Sequence, residues 1–137
     1  MRVQGLLAPV ALALALLTGC TGAAPYAFLD EESVGGHAID AATLTQSGID
    51  PDSIRFQGTW EDHELFLALV PTEPLDGVAL VVVPGDAPDQ WVVGSTTGDS
   101  RIGVTGPSGF EAQYEPSGIG DPPEGWVAVS EWVMVRE

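Results

Sequence analysis

The chain has 137 residues, with twenty carboxylates set against four basic side chains, all arginine, and a formal net charge of −16. Such a field repels phosphate backbones, which excludes nucleic acid as a partner, and it disfavours direct adhesion to anionic lipid head groups. The length suits one small domain rather than two, and four tryptophans with many β-branched residues oppose disorder from Ile54 onward.

The first segment is a leader. Arg2 and the amino terminus supply positive charge, Gly5 to Leu17 carries none, and Leu17-Thr18-Gly19-Cys20 follows. A positive start, an apolar middle and small residues at the end have the layout of a secretory signal. The closing tetrad resembles the lipobox of bacterial lipoproteins residue for residue. In that family the cysteine receives a diacylglyceryl group and a peptidase cuts before it. The resemblance thus implies residues 1–19 as signal peptide, Cys20 as the lipidated residue, and an anchor on the extracytoplasmic face of the cell membrane. Two acyl chains hold a protein firmly where one binds only marginally. An uncleaved spanning helix is the alternative. Its strongly apolar part, Leu6 to Leu17, falls short of the roughly 20 residues a span needs, and Pro9 interrupts it. Cys20 is the only cysteine, so an exported chain without disulfides keeps its one thiol where a lipid would consume it. Removing the leader takes Arg2 with it and makes the body one unit more acidic.

Residues 20–36 read as a lipidated N-terminus and tether, with Tyr26, Phe28 and Leu29 either free or docked on the body. Residues 37–137 form the domain. Asp40 to Ser47 predicts one short helix: Asp40 can cap it, Ala41, Ala42 and Leu44 favour it, and Gly48 and Pro51 end it. Eight residues do not hold a helix alone, so Ile39, Leu44 and Ile49 must seat it on the β-structure that follows.

Strand signals then dominate. Ile54, Phe56, Gly58 and Trp60 alternate with Arg55, Gln57 and Thr59, which predicts a strand wet on one face, and Glu61-Asp62-His63 reads as a turn. Leu65 to Val70 and Val78 to Val83 are apolar on both faces, as for strands covered on both sides. Trp91 to Thr96, Arg101 to Thr105 and Phe110 to Tyr114 follow, the last with Glu111, Gln113 and Glu115 on a solvated face. Pro116 to Gly125 is the longest loop, and Trp126 to Val129 and Trp132 to Val135 close the chain as one kinked strand or two. The expected fold is mainly β: a small antiparallel meander closed as a barrel or sandwich, with one short N-terminal helix. The Gly125-Trp126 step before a terminal strand resembles small lipoproteins of high-GC Gram-positive bacteria, a group that implies no activity.

Candidate chemistry is sparse. No Gly-x-Ser-x-Gly elbow occurs, and His37 and His63 are the only imidazoles, so a nucleophile–base pair would have to be assembled in space. Glu61, Asp62, His63 and Glu64 are the densest set of metal-ligating types, but their spacing matches neither a zinc nor a calcium motif, and a solvated turn has the same composition. Trp60, Trp91, Trp126 and Trp132 are the candidate binding surface, since indoles at strand ends can receive sugar rings or a partner protein; core packing is the competing use. The expected function is a membrane-anchored binding or interaction module with no cofactor beyond the lipid on Cys20, its partner a surface protein or a cell-wall glycan. An enzyme with a spatially assembled site and a blocking or exclusion factor, of cellular or phage origin, are the alternatives.

Overall fold

The computed structural model describes residues 26–32, 39–98, 100–106 and 108–137. Cys20, the lipobox and His37 lie outside them. Among the described residues no helix is long and apolar enough to cross a membrane.

Among the described residues, eight strands form two four-stranded antiparallel sheets. The first sheet is the predicted meander: β1 (Arg55–Trp60), β2 (His63–Val70), β3 (Gly77–Pro84) and β4 (Val92–Thr96), each hydrogen-bonded to the next. The second holds β5 (Ile102–Thr105), β6 (Glu111–Tyr114), β7 (Val127–Ala128) and β8 (Val133–Arg136) in the order β5-β6-β8-β7. The terminal segment is therefore two strands, and the second sheet departs from a meander because β8 inserts between β6 and β7. Among the described residues no ladder joins the sheets and no closed barrel is seen; the two sheets share an apolar core, a layering that suits a sandwich.

The central strands explain the layering. Leu65, Leu67, Val78, Leu80 and Val82 point from the first sheet into a core shared with Ile102, Phe110, Ala112, Tyr114, Val133 and Val135 of the second. The intervening residues Phe66, Ala68, Ala79, Val81 and Val83 point the other way and are covered by Ile39, Leu44, Ile49 and Ile54. A strand apolar on both faces needs two covers, and here one is a sheet and the other a helix. That helix, α1 (Ala41–Gln46), is capped by Asp40, whose side chain accepts the Thr43 N–H.

The strict alternation expected along β1 is not observed. A bulge falls between Phe56 and Gly58, so Ile54 is buried on the helix side while Phe56 is more than a third exposed and Gln57 is buried. Beyond the bulge the side chains change faces, and Trp60 packs on the inter-sheet core. Long-range hydrogen bonds make the bulge favourable. Ser130 Oγ donates to Gln57 Oε1 at 2.7 Å, and Gln57 Nε2 lies 3.2 Å from a Glu31 carboxylate oxygen. Ser130 Oγ in turn accepts the N–H groups of Trp132 and Val133 at 3.1 Å, shaping the turn into β8. Gly58, with a φ of 145°, lets Val129 close on the backbone; a Cβ there would stand 2.5 Å from the valine methyl. Gly94 seals the opposite flank, where a Cβ would meet Val104 at the same distance.

The segment 26–32 docks on the body, which resolves the two readings of Tyr26, Phe28 and Leu29. Phe28, in a 3-10 turn spanning Ala27–Asp30, is fully buried and meets Tyr114 edge-on at 6.1 Å. The Tyr26 hydroxyl donates to the Asp76 carbonyl, and Arg55 donates to the Glu31 carbonyl at 2.9 Å. The packed unit thus takes in residues placed by sequence in the tether.

Two outcomes are expected. Phe28→Ala lowers the unfolding free energy by about 3–5 kcal/mol, read from urea denaturation, whereas a loss below about 1 kcal/mol would mean the segment is not docked in solution. In a double-mutant cycle, Gln57→Ala and Ser130→Ala show a coupling of about 0.5–3 kcal/mol; strict additivity would refute the bridge between the sheets.

Candidate functional site

The candidate residues scatter. The turn is Glu61-Asp62 alone, both exposed; His63, expected in the turn, instead opens β2 with Glu64, points inward and is 7% exposed, its ring against Phe110 at 4.8 Å. Among the described residues there is no group of three or more His, Cys, Asp or Glu side chains that could hold a metal ion. His63 Nε2 lies 3.5 Å from Ser108 Oγ, at the outer limit of a hydrogen bond, and its Nδ1 is buried with no partner. A nucleophile–base pair needs a closer contact and a group that orients the imidazole; His63 has neither.

The four tryptophans lie on different faces. Trp132 is 8% exposed in the inter-sheet core, and Trp60 packs on the same core with its indole N–H buried and unpartnered. Trp91 packs on the helix-side cluster. Trp126 alone stands on the outer face of the second sheet, where it lines two adjoining depressions of about 470 and 120 Å³.

Topology builds this outer face. β6 and β7 both run antiparallel to β8, so the chain leaving Tyr114 must return along the sheet before β7 can start. Residues 115–126 make that passage and wall one side of the trough. The turn is fixed by Gly118 N–H to the Glu115 carbonyl at 3.1 Å, Ile119 N–H to the Glu131 carbonyl at 2.9 Å and Trp126 N–H to the Pro123 carbonyl at 3.0 Å. The floor follows from register: Thr105, Glu111 and Arg136 form one row, and Gly103, Gln113 and Met134 the next.

The charges of the floor are paired. Arg136 Nε and Nη2 each lie 2.7 Å from Glu111 Oε2, and the same guanidinium stacks on the Trp126 indole, 4.6 Å from its centroid. At the other end Arg101 Nε meets Glu115 Oε2 at 2.7 Å, and Ser117 joins Glu115 Oε1 at 3.4 Å. Sequence reasoning named Trp126 but not Arg101, Gln113 or Arg136; the alternation of β6 was the signal that placed Glu111 and Gln113 on one face.

A third depression, of about 440 Å³, lies apart from these between α1 and the Pro88–Gln90 turn and is lined by Asp40, Thr43, Asp89 and Trp91. The Asp40 carboxylate is already engaged there: Thr43 N–H donates to Oδ1 at 2.8 Å and Thr43 Oγ1 to Oδ2 at 3.1 Å. These bonds, the backbone one foremost, hold its carboxyl below the usual carboxylate range. A carboxylate lowered on folding stabilises at pH values above its unfolded pKa and ceases to as pH falls through the folded value. The difference in melting temperature between wild type and Asp40→Ala should therefore be constant near neutrality and close as acid protonates the carboxylate. A difference that persisted at the lowest pH would show that the cap does not act through its charge.

Comparison with protein-family models, with curated proteins and with solved structures finds no match to this chain.

Proposed function

We propose that the chain is a lipid-anchored, extracytoplasmic binding module whose ligand surface is the trough on the outer face of the second sheet. The observation that carries the reading is Trp126, a partly exposed indole stacked by the Arg136 guanidinium and lining two adjoining depressions on the outer face of the second sheet. Aromatic side chains braced in this way offer contact area at little entropic cost, the usual basis of recognition hot spots. The larger depression also falls in the roughly 300–1,000 Å³ range of small-ligand sites. The lipobox-like Leu17-Thr18-Gly19-Cys20 supports the address, with the diacylglyceryl cysteine as anchor.

Two measurements test the parts separately. Cys20→Ala should release the protein from the membrane fraction or leave its leader attached; a variant that is processed and remains membrane-bound would refute lipid anchoring. For the surface, a photo-cross-linking side chain at Gln113 should give an adduct in intact cells where the same group at Thr45, on the exposed side of α1, gives none. Equal labelling at both positions, or none at Gln113, would refute the trough as the ligand surface.

A further inference from the structure

We infer that the trough takes a neutral glycan strand, an inference that rests on the outer face of the second sheet being the binding surface. Charge decides first. Arg55, Arg101 and Arg136 are the only lysine or arginine side chains among the described residues, and the two at the trough, Arg101 and Arg136, each already hold a carboxylate. Arg101 and Arg136 are matched by Glu115 and Glu111 at 2.7 Å, and Arg55 donates to the carbonyls of Glu31, Asp52 and Ile54. A phosphate or carboxylate entering the trough would meet no uncommitted cation and would approach a body of net charge −16. An anionic polymer is thus repelled.

A cationic ligand would be drawn by the net charge of the whole body rather than by the trough in particular. Glu111 and Glu115 are matched there by arginines, so an incoming ammonium would face the guanidiniums as well, and Asp121 is the one lining carboxylate outside those pairs. A ligand without charge loses nothing to either sign.

The remaining chemistry is that of a polyhydroxylated ring. Trp126 gives an apolar plate against which the C–H face of a sugar can lie. The same depression is lined by groups that donate or accept: the Gln113 amide, the Ser117 hydroxyl, the Asp121 carboxylate and the paired Arg101 guanidinium. The Gln113 amide hydrogen-bonds no other described residue, so it can bond a ligand without breaking an internal contact. The two depressions adjoin at Gln113 and Trp126, which extends the site along the sheet and suits successive units of a strand.

The test titrates the purified protein with its lipid in place, held in detergent, with neutral tetrasaccharides of N-acetylglucosamine and of glucose, followed by tryptophan fluorescence and calorimetry. Binding by at least one tetramer is expected, with an affinity unchanged between low and high salt, as befits an uncharged ligand. Trp126→Ala should weaken it at least about tenfold, the scale of a lost aromatic stack. Gln113→Ala should weaken it without altering the fold, and Trp91→Ala should leave it intact. No binding by either tetramer at millimolar concentration, preferential binding of an anionic wall polymer, or loss of binding in Trp91→Ala instead of Trp126→Ala would overturn the inference. The cross-link at Gln113 separates the two levels: a protein adduct there with no tetramer binding keeps the trough and removes the glycan, whereas failure of both removes the trough as well.

Discussion

Everything in this fold depends on the need to cover both faces of β2 and β3. A pair of strands carrying leucine and valine on one side and phenylalanine, alanine and valine on the other cannot sit at a surface, and a chain of this size has few ways to hide them. The solution is asymmetric: a whole sheet on one face and a six-residue helix with its flanking isoleucines on the other. The helix is too short to cover the edges of the first sheet, so Phe56 and Val93 remain open on that side. The second sheet gives its inner face to the core, and its outer face is left for polar residues and whatever they recognise.

The elements with local causes were legible in the sequence. Asp40 and Gly48 bracket α1, and the apolar runs of β2 and β3 announce their double burial. The alternation of Phe110 to Tyr114 sets which residues of β6 point outward. What escaped had distant causes. Nothing near Gln57 indicates that it is buried, because its partner Ser130 is 73 positions away. The bulge that accommodates it overrides a clean period-two pattern and turns Trp60 inward. The insertion of β8 between β6 and β7 was equally hidden, since either strand order is compatible with the same local propensities.

The tryptophans show the same limit from the side of function. All four stand beside apolar strand residues and look alike in sequence, yet register sends Trp132 into the core and leaves Trp126 on the outer face. Arg136 has a similar history. As a terminal arginine it reads as a solubilising charge, and only the pairing of β6 with β8 brings it between Glu111 and the indole. The polar floor is therefore a product of topology, assembled from residues spread between Arg101 and Arg136.

The burial of Phe28 has a spatial consequence for the lipid-anchored reading. Only six peptide steps separate Cys20 from Tyr26, the first described residue and one that bonds to the body, so at about 3.5 Å per residue the anchor of that reading and the folded mass lie within ~20 Å of each other. On that reading the module is leashed rather than roaming. It can sample only the thin layer of material lying directly over the bilayer, and whatever it grips must be threaded through, or made in, that layer.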